Sequence, residues 1–263
     1  MTISFRPGTV VLVVQAHPDD ETFTTAAATL AAKQAGCTVH LRIFTGGEGY
    51  GAELTPAGLA RARERKAAML DAAVPQLGID DWDYLGSPDR WNDTPEAPER
   101  TIAAADLDDL TATLLPTIEA LRPDVILTVG PDGLTGHPDH IACHHATLAA
   151  ARAATVSPRA VLGAFLPADD IRAAEERASE LYGRPIGAGR LVGRRPQNAV
   201  TITAGADATG RRKAALEVYV PGLGTRPQED LPAAFPDGEA VLIRLVFDHA
   251  GWDRDRFELL LGE

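Results

Sequence analysis

Just after a run of β-branched residues, the stretch AHPDDE sets His17, Asp19, Asp20 and Glu21 within five consecutive positions. A second stretch, GHPDH from Gly136 to His140, has the same character. With His144 and His145 it holds four of the chain's seven histidines. Like charges this close repel, so a fold that keeps them together has a use for them. Helix capping accounts for some: Asp19 or Asp20 could cap a following helix, and Asp139 one that starts near His140. It leaves the histidines unexplained. Two imidazoles and a carboxylate suit zinc or a similar divalent ion. His17 and Asp20 are three positions apart, so a turn entering a helix can aim both at one point, and GHPDH supplies a third ligand. His144, at i+4 from His140, stands at a spacing that two ligands can also use. Three protein ligands leave a position for water, the catalytic arrangement.

With a metal there, the spare groups acquire roles. Asp19 could take a proton from water activated by the ion. His137 could donate to the oxygen or leaving group of a tetrahedral intermediate, with Asp139 fixing its tautomer.

These residues need a scaffold that brings two distant turns to one place. Val10–Val14, Val39–Thr45 and Val125–Val129 read as buried strands, and Tyr84–Leu85 as a short one. Helical stretches alternate with them: Ala26–Ala35, Pro56–Ala73, Asp106–Leu121 and an Ala-rich run through Ala154. Apolar strands alternating with helices predict an α/β fold, a mostly parallel sheet with helices on both faces. Ligands bind such sheets at the carboxyl ends of the strands. Both motifs follow strands, so they share one rim. The chain shows no linker and reads as one domain, with residues 1–150 as its metal-site core and 151–263 less regular. In that second part Asp169–Tyr182 and Ala208–Tyr219 read as helices, and Ala199–Ile202 and Val241–Phe247 as strands.

A net charge of −12 argues against nucleic acid or an anionic membrane surface as partner. No apolar run approaches the roughly 18 residues of a membrane span. The opening MTISFRPGTV lacks a charged-then-apolar leader pattern. Cys37 and Cys143 are too few for a disulfide or thiolate-metal scaffold and read as buried small residues in a reducing cytoplasm. The composition suits a high-GC bacterial gene and leaves a homo-oligomer open.

AHPDDE and GHPDH, in this order and each after a strand, resemble the PIG-L/LmbE-like N-acetylglucosamine deacetylase family, mycothiol deacetylases among them. The likeness extends through GGEGYG at Gly46–Gly51, the Arg-rich helix and LGSPD at Leu85–Asp89. It implies a Rossmann-like fold and a zinc site, with iron(II) as the alternative ion, whose ligands fall on His17, Asp20 and His140. The general base falls on Asp19, the catalytic histidine on His137 and that histidine's partner on Asp139. The implied reaction is hydrolysis of an N-acetyl or other N-acyl group from an amino sugar or its conjugate. Cleavage of mycothiol-type conjugates and a non-catalytic carbohydrate-binding relative are the alternatives. Three positions depart from the family pattern: Thr135 stands where a tyrosine assists the oxyanion, Tyr219 where a histidine is common, and Lys66 where many members carry Glu.

GGEGYG is not the G-x-G-x-x-G of a dinucleotide site and reads as a tight turn. Glu48 within it, Arg63 on the following helix and Asp89 in a polar loop are candidates to touch substrate.

Overall fold

A computed structural model describes residues 3, 5–49, 53, 55–94, 97–187 and 191–262. Strand β1, Val10–Gln15, is the centre of the fold. Its side chains alternate between two cores: Leu12 and Val14 face one, Val11 and Val13 the other. That two-sided burial is what an unbroken β-branched run provides. The chain passes through α1 (Asp20–Thr24) and α2 (Ala26–Gln34) to β2 (Thr38–Ile43), then through α3 (Pro56–Leu77) to β3 (Asp81–Tyr84). A long connection and α4 (Leu107–Leu121) lead back across β1 to β4 (Val125–Val129). The single turn α5 (Gly133–Gly136) and the helix α6 (Pro138–Ala153) lead to β5 (Ala160–Ala164). These five strands are parallel neighbours in the order β3-β2-β1-β4-β5.

The remainder adds a two-stranded bridge, β6 (Leu166–Pro167) with β7 (Gly193–Arg194), and the helix α7 (Ala168–Tyr182). Then come β8 (Ala199–Thr203), α8 (Ala208–Tyr219), the short α9 (Leu231–Ala234), α10 (Glu239–Ala250) and β9 (Arg254–Gly262). Strand β9 pairs antiparallel with both β5 and β8, completing a seven-stranded sheet. Helices α4, α6, α7 and α10 pack on one face, and α2, α3 and α8 on the other. The architecture is the expected Rossmann-like α/β fold, mostly parallel, with an antiparallel edge. Strand order reverses between β1 and β4, and that switch point is where such sheets open a crevice.

Val241–Phe247 is a helix, not the last strand. Val241, Leu242, Leu245 and Val246 are all buried, so one helical stripe faces the core. An apolar run of this length fits either period. The last strand is β9, whose paired partners lie far away in sequence. The helix from Pro56 runs on to Leu77, with Gly78 at φ 72° ending it.

Candidate metal centre

The chain leaves β1 through the turn Ala16–Asp19 and enters α1. Asp19 sits there at φ 113°, ψ −27°, a left-handed backbone that a non-glycine residue adopts only when its surroundings enforce it. Two contacts do so. The Asp19 N–H donates to Glu21 Oε2 at 3.0 Å, and Lys66 Nζ donates to Asp19 Oδ2 at 3.0 Å. The turn after β2 packs closely against this one: a Cβ at Gly47, φ 65°, would come within 2.5 Å of Pro18 Cδ. Asp19 makes no side-chain capping bond, so capping does not explain its carboxylate.

The second turn follows β4. Its helix, α6, is capped by His137, whose Nδ1 accepts from the Asp139 N–H at 3.3 Å, with Pro138 at the first helical position. An accepting Nδ1 places the ring proton on Nε2. The carboxylate expected to hold that ring stands elsewhere. Asp139 Oδ2 lies 3.2 Å from His17 Nε2, and Oδ1 accepts from the Ala103 N–H at 2.9 Å.

Across the crevice the three candidate ligands converge. His17 Nδ1 is 3.2 Å from His140 Nε2. Asp20 Oδ1 is 3.1 Å from the same His140 nitrogen, and Asp20 Oδ2 is 3.7 Å from His17 Nδ1. Donors around a tetrahedral zinc at about 2.0–2.1 Å stand about 3.3 Å from one another, so the set fits such an ion. The outer bonds agree. His140 Nδ1 pairs with the Gly133 carbonyl at 3.0 Å, and His17 Nε2 with Asp139. Each imidazole thus ties one nitrogen to an acceptor and leaves the other facing the point an ion would take, the arrangement of metal-binding histidines. Asp20 is fixed as well, its Oδ2 accepting from the His17 N–H at 2.9 Å.

Among the described residues two other groups of donors approach within 4.8 Å: His17, His137 and His140, and His17, Asp93 and Asp139. The second group gathers at Nε2 of His17, the side away from His140, and is better placed to orient that ring. His144, the alternative ligand, pairs through Nδ1 with the Val129 carbonyl at 3.1 Å and does not line the crevice. Cys143 is buried against Thr128 and the Val14 carbonyl, a packing residue.

The electrostatics call for a cation. Burial opposes charge on His17, but Asp93, Asp139 and Asp20 outweigh it and raise its pKa to about 10. Burial raises Asp93 to about 6, with Asp139, Asp19 and Asp20 adding to it against His17. Burial and the neighbouring Asp19 raise Glu21 to about 7. Burial also raises Asp19, against the pull of Lys66. Asp20 goes the other way: His140 and His17 overcome its burial and hold it well below the usual carboxylate range. Burial and the nearby His17 and His140 lower His137 to about 4. Asp139 pulls the other way without outweighing them.

Asp93 had no signal beyond its acidic type in a Pro/Asp-rich loop, yet its Oδ1 lies 3.3 Å from His17 Nε2. The loop is held by Glu48. That buried carboxylate accepts from Arg63 Nε at 2.5 Å and from the Asp93 N–H at 2.9 Å. Glu48 and Arg63, expected to touch substrate, are thus paired with each other and support the loop. Asp89 accepts from the Ser87 hydroxyl and, with Arg63 and Arg100, lines a separate surface pocket. None of the three lines the crevice. Of the turn at Gly46–Gly51, Tyr50 and Gly51 lie outside the described residues.

The crevice is a cleft of about 380 Å³. Its polar side carries His17, Asp19, Asp20, Lys66, Asp93, His137 and His140. Thr135 lines it too, and Tyr219 donates to Glu21 Oε1 at 2.9 Å behind it. The cleft's apolar lining includes Leu134, at φ 59°, ψ −46°. Such a backbone costs a branched residue about 1–3 kcal/mol. No helix among the described residues is long and apolar enough to cross a membrane.

The chain is 38% identical over 156 residues to the 1D-myo-inositol 2-acetamido-2-deoxy-alpha-D-glucopyranoside deacetylase of Mycolicibacterium vanbaalenii, covering 55% of each protein. It therefore spans about half the length of the curated relatives it matches. Among solved structures it is similar to the zinc-inhibited form of teicoplanin deacetylase Orf2 (TM-score 0.61, 17% identity, 96% of this chain and 98% of that one). It is also similar to the N,N'-diacetylchitobiose deacetylase of Pyrococcus horikoshii (TM-score 0.61, 14% identity, 96% and 84%). At such identity the likeness is one of fold. The family model described as PIG-L, GlcNAc-PI de-N-acetylase, matches residues 12–151, a stretch that takes in both turns, the three converging donors and Asp93, and the chain belongs to that family.

Proposed function

We propose that the protein is a metal-dependent hydrolase that removes an N-acyl group, acetyl above all, from an amino sugar or an N-acetylglucosamine conjugate. The observation that carries this reading is the convergence of His17 Nδ1, Asp20 Oδ1 and His140 Nε2, with Asp19 and His137 in the same cleft. N-acetylated amino sugars appear in the names of the Mycolicibacterium and Pyrococcus proteins.

His17, Asp20 and His140 would hold the ion. When bound, a divalent cation such as zinc or iron(II) supplies Lewis acidity to the attacking water and to the amide carbonyl. Asp19 takes a proton from the water as it adds to the carbonyl carbon. Lys66 and the enforced backbone keep that carboxylate facing the cleft. His137 works as a neutral imidazole and donates its Nε2–H to the oxygen that becomes negative in the tetrahedral intermediate. When the C–N bond breaks, Asp19 returns its proton to the departing amine, leaving a carboxylate and a free amino sugar. Asp139 and Asp93 orient His17. The substrate roles expected of Glu48, Arg63 and Asp89 give way to support of the Asp93 loop by Glu48 and Arg63.

The test is acetate release from a panel of N-acetylglucosamine derivatives by metal-loaded protein, with Asp19→Asn beside the wild type. The variant should keep its metal and lose about 10²–10⁴-fold in turnover, the usual worth of a general base. Loss of metal with the activity would make Asp19 a ligand. A loaded wild type that hydrolyses no amide in the panel would end the hydrolase reading.

A further inference from the structure

Four apolar side chains line the cleft beside the two metal-site turns: Phe23, Leu134, Leu191 and Ile243. They come from four separate segments. Leu191 and Ile243 lie outside the stretch matched by the family model, in the part of the chain that builds α10 and the segment before β7. The wall is built, not left over. Leu134 is forced into its strained backbone by two bonds: its N–H donates to Asp132 Oδ1 at 3.2 Å, and its carbonyl accepts from the Val192 N–H at 2.8 Å. The second bond also brings Leu191 to the cleft. Strain at a pocket wall persists only where the surrounding bonds over-determine it.

A polyol such as myo-inositol carries several hydroxyls, each of which costs free energy if it is desolvated without a partner. These four side chains offer none. We infer that the substrate carries an apolar group of several carbons beside its scissile amide, packed against Phe23, Leu134, Leu191 and Ile243. The inference rests on the hydrolase reading above and narrows its substrate class. The apolar group can belong to the acyl chain or to the aglycone, and the two are separable by experiment.

One arm compares N-acetyl- with N-octanoyl-glucosamine. The other compares methyl with octyl N-acetyl-β-D-glucosaminide. In one arm kcat/KM should rise by at least about tenfold with the longer group, the size of effect a few buried methylenes give. Binding of octyl against methyl β-D-glucosaminide, the aglycone-arm products, is followed by calorimetry. It should show the same ratio if the aglycone carries the apolar group and no difference if the acyl chain does. Ile243→Asn and Leu191→Asn, on separate segments, should each shrink the kcat/KM ratio toward one. Hydrolysis of the short substrates with a flat or falling ratio in both arms would overturn the inference and leave the hydrolase reading standing. Failure to hydrolyse any of the four substrates would remove that reading and the inference with it.

Discussion

The carboxylate of Asp139 stands 3.2 Å from Nε2 of His17, while only the backbone N–H of Asp139 reaches the ring of His137. The residue next to the second motif's proposed ligand therefore contacts the proposed ligand of the first. Asp139→Asn should weaken metal binding by about 10–100-fold, the usual cost of losing a ligand's outer partner. Competition with a chelator measures this. Unchanged affinity together with a large loss of turnover would return Asp139 to a role on His137.

Lys66 and Asp19, the proposed base, form a part-buried ion pair. Burial raises the Asp19 pKa and Lys66 pulls it down. Removing the cation therefore raises it, and a base that must be ionised then works only at higher pH. Lys66→Met should move the acidic limb of the kcat/KM profile upward, and Lys66→Arg should restore much of it. An acidic limb that stays in place in Lys66→Met would mean that another group sets it.

The metal-free protein should lose stability as pH rises from about 7 to 10. His17, whose pKa is about 10 in the fold against 6.5 ordinarily, contributes stability that is complete below 6.5 and lost as pH rises through 10. His140, also raised, acts in the same direction. Bound metal needs both rings deprotonated, so its stabilisation grows with pH. The difference in Tm between loaded and metal-free protein should therefore widen between pH 7 and 9. A constant or narrowing difference would contradict the assignment of these histidines as ligands.

Arg212 ties α1 to β9. It is fully buried, pairs with Asp255 of β9 at 2.9 Å and donates to the carbonyls of Thr22 and Phe23 in α1 at 3.0 and 2.8 Å. Arg212→Met leaves Asp255 buried without its cation, and breaking such a pair costs about 3–5 kcal/mol. Urea denaturation should show a loss of that size. A loss below about 1 kcal/mol would show that the pair is solvated in solution.

The sequence by itself determined the local chemistry and the frame beneath it. AHPDDE and GHPDH each follow a run apolar enough to be a buried strand, and a parallel sheet puts the carboxyl ends of its strands on one rim. Short spacing and strand position, both local facts, put His17, Asp20 and GHPDH together as a candidate set, and the family resemblance singled out His140 within GHPDH. Val241–Phe247 could not be assigned that way, since an apolar run fits a strand or a helix until its partners are known. Which group each side chain meets was decided only by tertiary structure. Asp93 reaches His17 from a loop 76 positions away, and Lys66 reaches Asp19 from α3 across 47 positions. The carboxylate of Asp139 meets His17 across 122 positions rather than the ring of the histidine two residues before it. Glu48 and Arg63 pair with each other because the turn after β2 packs on α3. Those contacts depend on how the crossovers fold back over the sheet, and no residue's type or spacing carries that information.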